Sequence, residues 1–268
     1  MSTGKSRVLM VMTMAIITVL LLTTGCIRIV TGGEGIIGAP NLVTKEFDFS
    51  NFTNIEVGYA FEVDVTRGDT YGVAITLNEN MFEYLDISQS GKTLTIRMKS
   101  YYSYQRVTRQ ASITLPALRS LELSGASRGE VAGFETTDDM GFDVSGASNL
   151  SLVDLKAGNT NIDVSGASRV TGSIEIMEGD FDVSGASTVE LEGKGTDVRL
   201  EVSGASTARL EHFPVEIADT HVSGASNATI EVSDRLDIDV SGASRLYYNG
   251  GAVLGSVQVS GASTLSRR

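Results

Sequence analysis

Residues 143–148 read DVSGAS, and residues 163–168 read DVSGAS again. The tetrapeptide Ser-Gly-Ala-Ser occurs eight times between residue 124 and the end of the chain, and successive copies begin 18 to 21 residues apart. A unit of this length cannot enclose a hydrophobic core of its own, so each repeat must bury its apolar side against its neighbours. The spacing therefore predicts a solenoid. The copies begin at Ser124, Ser145, Ser165, Ser184, Ser203, Ser223, Ser241 and Ser260.

The residues on either side of each copy alternate between apolar and polar. Phe142 and Val144 precede one copy, and Leu150 and Leu152 follow it. Alternation with a period of two predicts strands with one buried face, and a β-α-β unit of about 30 residues would not fit into one repeat. The sequence thus predicts an all-β fold, a parallel β-helix in which each rung is one turn of 19 or 20 residues with two or three short strands.

The Ser-Gly-Ala-Ser motif itself is predicted to form the corner of each rung. Glycine permits a bulge or a positive φ, and aligned serines can donate and accept hydrogen bonds along the stack. Strict alternation through residues 142–152 would bury Gly146 and Ser148 and leave Ser145 and Ala147 outside. Because a corner can reverse that order, the sequence leaves open which of these side chains face inward.

The N-terminal half lacks the motif but keeps the strand pattern. Segment IEVGYAFEV at residues 55–63 aligns with LELSGAS at residues 121–127, with Gly-Tyr-Ala where the later repeats have Ser-Gly-Ala. Terminal repeats of a solenoid must differ from internal ones to cover the end of the core. Residues 42–120 are therefore predicted to form an N-terminal β cap with transition rungs. This cap is continuous with a repeat β-helix over residues 121–268.

The first 26 residues have the order of a secretory signal. A basic head is followed by an apolar run of 15 residues at positions 8–22 and by small residues before Cys26. As a helix the run would be about 22 Å long, short of the roughly 30 Å of hydrocarbon in a bilayer. Since LLTTGC resembles a prokaryotic lipobox, residues 1–25 are predicted to be a lipoprotein signal peptide and Cys26 the lipidated residue, followed by a flexible tether at residues 26–41. The alternatives are a signal anchor and a plain secretion signal with Cys26 incidental.

Two patterns together resemble a known family. Repeats of Val-Ser-Gly-Ala-Ser follow a lipobox, and between them lies the pattern F-x-x-I-x-V-G-x-A-F-x-V-x-V at residues 52–65. This combination is similar to the auto-transporter adhesin head GIN domain family, over about residues 47–265. The resemblance implies a right-handed β-helix at the cell surface of bacteria or archaea.

The chain is acidic, with a formal net charge of −12, which argues against nucleic acid as a partner. The outward position two residues before each Ser-Gly-Ala-Ser copy is acidic in six of eight repeats. Such a column is either a solvated face relieved by counterions or a ligand and cation face, for which Ca²⁺ would be a fitting ion because it prefers oxygen ligands. The column consists of Glu122, Asp143, Asp163, Asp182, Glu201, His221, Asp239 and Gln258, and the candidate ligand or cation face is Asp143, Asp163, Asp182 and Asp239.

Few residues carry the chemistry that a catalytic site needs. The chain has one cysteine and two histidines, His212 and His221, and both histidines are interpreted as structural. No Ser-His-Asp spacing, phosphate loop or metal-binding histidine pair is found, so no catalytic residue, metal ligand or cofactor is assigned. Tyr101, Tyr102 and Tyr104 could stack on sugar rings, but an edge strand or a loop that covers the core is the favoured interpretation.

These observations favour a secreted protein, held on a membrane by its lipid anchor in the cell envelope, that acts as a non-catalytic adhesin-like or envelope binding protein. A polysaccharide or a surface protein would be its partner. One alternative is a carbohydrate-active enzyme of the pectin-lyase-like type, which would need polar residues to converge at a break in the repeat. The main irregularity of this kind is EHFPVEIADTH at residues 211–221. A second alternative is a structural envelope component that associates with itself.

Overall fold

The fold consists almost entirely of β-strands, and the computed structural model describes residues 35–268. One short 3₁₀ helix, Glu79–Tyr84, interrupts them. The strands are β1 (Ile36–Ile37), β2 (Leu42–Glu46), β3 (Asn54–Val57), β4 (Glu62–Arg67), β5 (Gly72–Asn78), β6 (Leu85–Ser90), β7 (Thr93–Met98), β8 (Tyr104–Gln105), β9 (Arg109–Leu115), β10 (Ser120–Leu123), β11 (Arg128–Ala132), β12 (Met140–Val144), β13 (Asn149–Lys156), β14 (Thr160–Val164), β15 (Arg169–Glu175), β16 (Glu178–Val183), β17 (Thr188–Lys194), β18 (Asp197–Val202), β19 (Thr207–Val222), β20 (Asn227–Val240), β21 (Arg245–Asn249), β22 (Val253–Val259) and β23 (Thr264–Arg267).

Strands of successive repeats lie side by side and parallel, which produces two stacked columns. The column before the corners contains β7, β3, β10, β12, β14, β16, β18, the second halves of β19 and β20, and β22. The column after the corners contains β9, β4, β11, β13, β15, β17, the first halves of β19 and β20, β21 and β23. The predicted all-β solenoid is confirmed.

The core lies between the columns and follows from the alternation of apolar residues. In the first column, Phe142 pairs with Ile162, Ile162 with Phe181 and Phe181 with Leu200, and each of these side chains is buried. Identical pleats in register place like residues on top of one another, so every rung adds one apolar layer to a continuous core. The rung is thus the unit of burial, as the short period predicts.

The N-terminal part of the sheet differs from the repeats because it contains antiparallel pairs. β5 runs antiparallel to both β2 and β9, and β6 runs antiparallel to β7. These strands and the 3₁₀ helix bury further apolar side chains, among them Ile75, Leu77 and Met81. β7 and β9 are also the first strands of the two parallel columns, so the antiparallel layer is continuous with the solenoid. Residues Ile37–Arg268 form one compact unit.

Each Ser-Gly-Ala-Ser copy forms the corner between the two columns. At the corner of residues 145–148, Gly146 has a φ of +75° and is exposed, Ala147 is exposed, and Ser148 is fully buried. The orientation that the sequence left open is thereby resolved: Ser148 lies inside, as strict alternation would place it, whereas Gly146 does not. The left-handed glycine turns the chain outward for two residues before the next strand resumes the inward direction, so alternation does not hold across the corner.

The buried serines form a ladder of hydrogen bonds through the core. The backbone N–H of Ser148 donates to Oγ of Ser168 in the next rung, at 3.2 Å. The same bond recurs from Ser127 to Ser148, Ser168 to Ser187, Ser187 to Ser206, Ser206 to Ser226 and Ser226 to Ser244. Because a buried N–H without an acceptor is costly, the fourth residue of the motif must carry a small acceptor. Hydrogen bonding between aligned serines is thereby confirmed.

The first rung has the same corner with a different sequence. β3 pairs with β10 with Ile55 opposite Leu121 and Val57 opposite Leu123, which places Gly-Tyr-Ala-Phe at residues 58–61 beside Ser-Gly-Ala-Ser at residues 124–127. The sequence alignment of these two segments is confirmed. Tyr59 stands beside Gly125 at this corner, with a φ of +64° against +63° for the glycine.

Candidate functional site

The acidic column predicted from the sequence lies on the outer face of the first column of strands. Glu122 pairs with Asp143, Asp143 with Asp163, and Asp163 with Asp182. The column continues through Glu201, His221, Asp239 and Gln258 and is extended at its other end by Glu56 and Thr95. The structure therefore brings the four candidate residues into one line, with Glu201 and His221 between Asp182 and Asp239.

Stacking changes the acidity of several carboxyl groups in this column. Partial desolvation, and then the charges of Asp143 and Glu56, raise the pKa of Glu122. The pKa of Asp143 is raised by desolvation and by the charge of Asp163, and that of Asp182 is raised chiefly by desolvation and by the charge of Glu201. Burial and like charge both disfavour the ionised form, so Glu122, Asp143 and Asp182 hold protons more tightly than free carboxyl groups do.

Cationic and amide groups relieve the repulsion elsewhere on the same face. Two of them, Asn161 and Arg199, stand two residues before the acidic position on the same strand, where side chains point to the same side of the sheet. The Nδ2 atom of Asn161 donates to Oδ2 of Asp163 at 2.7 Å, and the guanidinium of Arg199 bonds the carboxylate of Glu201. Arg235 holds the nearby Asp237 through two bonds of 2.8 and 3.1 Å. The face is thus a mixed array of charges rather than an unbroken line of carboxylates.

The same face borders an open groove of about 560 Å³. Its acidic residues are Asp139, Glu178, Asp180 and Asp197, and Arg199 also lines it. Between residues 35 and 268, however, no three or more histidine, cysteine or carboxylate side chains are arranged so that they could share a metal ion. The role of Asp143, Asp163, Asp182 and Asp239 as a ligand or cation face stays a prediction.

The irregular stretch at residues 211–221 lies within the single long strand β19. Phe213 is fully buried and packs against Phe181 at a ring distance of 6.1 Å. His212 pairs with Glu192 in the sheet, whereas His221 stands in the acidic column beside Glu201 and Asp239. The irregularity therefore fills the core, and it separates the two histidines instead of bringing them together.

A second site lies at the first-rung corner, where the structure forms a cleft of about 440 Å³. Tyr101 and Tyr102, which the sequence had singled out, line it together with Tyr59, Asp86 and Arg97. The last three were not identified from the sequence, because they come from a corner and a hairpin that carry no recognised motif. One signal was available for Tyr59, which occupies the position of glycine in the aligned corners.

The third tyrosine of the group, Tyr104, supports the cleft from behind. Its ring lies 5.9 Å from Tyr84, and Tyr84 is 5.0 Å from Tyr102. Its hydroxyl donates to the carbonyl oxygen of Lys99 at 2.7 Å. The segment of residues 101–104 therefore contains one packed ring, Tyr104, and two exposed rings, Tyr101 and Tyr102. The loop that covers the core, which the sequence favoured, is thus observed only for Tyr104.

The predicted signal peptide, residues 1–25, and the lipidation site, Cys26, lie outside the described residues. Within residues 35–268, no helix has the length and apolar character that crossing a bilayer requires.

Three solved bacterial structures share this fold. A "putative lipid binding protein" from Parabacteroides distasonis is 18% identical, with a TM-score of 0.81 over 87% of this chain and 99% of the other. A "putative adhesin" from the same organism is 19% identical, with a TM-score of 0.79 over 87% and 99%. A "putative adhesin" from Parabacteroides merdae is 17% identical, with a TM-score of 0.77 over 87% and 98%. At these identities the likeness establishes the fold. No curated protein matches the sequence.

A family profile matches residues 51–252, which is most of the chain. The matched region contains the first-rung corner at residues 58–61 and seven of the eight Ser-Gly-Ala-Ser copies, the features on which the sequence resemblance depends. The family is described as "Putative auto-transporter adhesin, head GIN domain". The chain therefore belongs to the auto-transporter adhesin head GIN domain family.

Proposed function

We propose that the chain is an exported protein, anchored through a lipid on Cys26, that works at the cell surface by binding a polysaccharide or another surface protein, without catalysis. Membership of an adhesin-like family supports a place at the cell surface. The order of basic head, short apolar run and lipobox-like LLTTGC supports export and anchoring. Two or three acyl chains would hold such a protein durably on a membrane.

The observation that carries the binding function is the regular outer face of the solenoid. Outward residues of successive rungs pair in register, as Asp143 does with Asp163, so the same surface chemistry recurs about every 4.8 Å. A repeating surface suits a repeating or extended partner, because many weak contacts can add together. Catalysis requires the opposite, a single place where different reactive groups converge. The separation of His212 from His221 supports binding over catalysis.

The anchor is tested by replacing the predicted lipidated residue in the full chain. Cells that express wild type or Cys26→Ser are fed an alkyne-bearing fatty acid, and the label on the protein and its distribution between membrane and soluble fractions are measured. We expect Cys26→Ser to lose the label and to leave the membrane fraction, with Thr31→Ser in the predicted tether as a control that keeps both. Full labelling of Cys26→Ser would contradict the anchor.

Binding is tested on bacterial cells that display the full chain. Their adherence to surfaces coated with a panel of purified polysaccharides is compared with that of cells lacking the protein, and the soluble phase is assayed for newly formed sugar ends. Saturable adherence without release of sugar fragments is the expected result. Release of fragments would favour the carbohydrate-active enzyme and contradict a purely binding role.

A further inference from the structure

Tyr59 occupies a corner position that this chain otherwise gives to glycine. In the eight Ser-Gly-Ala-Ser corners the glycine has a φ between +63° and +77°, and Tyr59 adopts +64° at the matching place in the first rung. A bulky side chain in this left-handed region is strained, and strain of this kind persists where the surrounding structure enforces it, often at functional sites. The question is what the tyrosine ring does there.

The ring of Tyr59 lines the cleft at the first-rung corner, which we call the tyrosine cleft: Tyr59, Asp86, Arg97, Lys99, Tyr101 and Tyr102. The three tyrosines keep 40%, 95% and 49% of their surface exposed at positions 59, 101 and 102. Large rings left in solvent around a concave site offer flat apolar faces and free hydroxyl groups. Such a site resembles neither the packed core nor the charged outer column.

Polar groups of the tyrosine cleft are held in place by the hairpin of β6 and β7. Asp86 lies directly opposite Arg97 in this antiparallel pair, and the Nε atom of Arg97 donates to Oδ2 of Asp86 at 2.8 Å. Lys99 follows immediately after the strand, and its Nζ atom donates to the carbonyl oxygen of Glu83 at 2.7 Å. The guanidinium, the ammonium and the carboxylate therefore stand at fixed points beside the rings.

The ring of Tyr102 and the backbone of Tyr59 are positioned before any ligand arrives. Tyr102 packs against Tyr84 at 5.0 Å and against Tyr104 at 6.3 Å, and Tyr104 is itself bonded to the backbone of Lys99. The strained backbone of Tyr59 fixes the third side of the cleft. Pre-positioned groups lose little conformational freedom on binding, which favours affinity.

We propose that the tyrosine cleft binds a carbohydrate, with the apolar face of a sugar ring on the tyrosines and its hydroxyl or carboxylate groups bonded to Arg97, Lys99 and Asp86. A volume of about 440 Å³ holds one or two sugar rings. Two cations and one carboxylate give the cleft a local charge of +1 (+2 − 1), and at hydrogen-bonding distance this excess favours sugars that carry a carboxylate over neutral ones. The inference rests on the proposed binding function, names a ligand class for it and adds a binding place distinct from the repeating outer face.

The test uses the purified chain on an array of neutral and uronate-containing oligosaccharides, followed by calorimetric titration of the sugars that bind. Tyr59→Gly should weaken binding about tenfold or more because a ring that lines the cleft is lost. Its melting temperature should stay equal or rise, since glycine is the residue that the chain itself uses at the other corners. Tyr247→Ala, which removes a half-buried ring from β21 far along the stack, is the matched control and should bind as wild type does.

Three results would overturn the proposal: binding of no oligosaccharide on the array, unchanged affinity in Tyr59→Gly and in Tyr102→Ala, or loss of sugar binding in Asp143→Asn with the cleft variants unaffected. The last result would indicate that the sugar binds at the acidic column instead of the tyrosine cleft. Adherence and acyl labelling of cells that display the chain are read independently. Equal adherence of cells that display wild type and cells that display Tyr59→Gly would be consistent with the proposed binding function but would show that the tyrosine cleft does not contribute to it.

Discussion

The first-rung corner and the Ser-Gly-Ala-Ser corners follow nearly the same backbone path with different side chains. At the later corners an ideal Cβ on the glycine would meet the preceding corner, as at Gly204, where it would lie 2.5 Å from the carbonyl oxygen of Gly185. The corner of residues 58–61 has no earlier corner of this kind before it, so Tyr59 can carry a side chain in the same conformation. Stacking on the preceding corner, more than φ alone, therefore reserves this position for glycine.

The fourth position of the corner differs for a related reason. Ser148 and its equivalents accept a hydrogen bond from the rung before them, whereas Phe61 takes this place in the first rung and is buried as an apolar residue. The hydroxyl of Ser127, in the second rung, donates within its own corner to the carbonyl oxygen of Ser124 at 2.7 Å. The serine ladder therefore begins at the second rung, next to the apolar layer to which Phe61 belongs.

The largest expected effect comes from giving a stacked corner the side chain that the first corner tolerates. Gly204→Ala should lower the free energy of unfolding by about 3 kcal/mol or more, because the left-handed conformation and the clash with Gly185 act together. Urea unfolding followed by circular dichroism measures the loss.

A matched control separates the two causes. Gly91 has a φ of +57°, and an added Cβ there would have no atom within 4 Å. Gly91→Ala should thus cost only the conformational part, about 1 kcal/mol. Equal losses in Gly91→Ala and Gly204→Ala would show that φ alone explains the glycine and would contradict the stacking argument.

A smaller effect is expected from a substitution in the middle of the serine ladder. Ser206 is fully buried, and its Oγ atom accepts the backbone N–H of Ser187 at 3.3 Å. Ser206→Ala should lower the free energy of unfolding by about 1 to 3 kcal/mol, because the N–H of Ser187 is left buried without an acceptor. The control is Ser203→Ala, at the half-buried first serine of the same motif, which should change stability by less than about 0.5 kcal/mol. If both variants unfold at the same urea concentration, the ladder contributes nothing.

Sequence alone predicted the parts of the molecule that repeat. The regular spacing of Ser-Gly-Ala-Ser fixes which residues can pair, and the pairing of Asp143 with Asp163 follows from it. It could not predict that Gly146 faces solvent, since that depends on one dihedral angle at the corner. Nor could it predict the tyrosine cleft, because Asp86 and Arg97 are brought together by an antiparallel hairpin that occurs once. A pairing that does not repeat produces no periodic pattern in the sequence.

The smallest expected effect concerns acidity on the outer face, where two aspartates on one sheet should respond to pH in opposite directions. The pKa of Asp143 is raised by desolvation and by Asp163, so the folded chain binds this proton more tightly than the unfolded chain does. The contribution of Asp143 to the free energy of unfolding should therefore become more favourable as the pH falls from neutral toward the raised pKa. Asp237 behaves oppositely, because hydrogen bonds from Arg235 and from the backbone of Ser256 lower its pKa, and its stabilising effect is lost as the pH falls below the ordinary carboxyl range.

Two variants make this contrast measurable through melting temperatures between pH 7 and pH 3. Asp143→Asn should raise the melting temperature slightly at pH 7 and reduce its increase on mild acidification. The corresponding change in the free energy of unfolding should be less than about 1 kcal/mol, because the carboxyl is largely solvated. Asp237→Asn should lower the melting temperature at pH 7, and this difference should shrink as the pH falls toward 3, because the lowered pKa delays protonation of the wild-type carboxyl. The same sign of change in both variants at pH 7 would show that net charge, rather than the neighbours of each carboxyl, decides stability on this face.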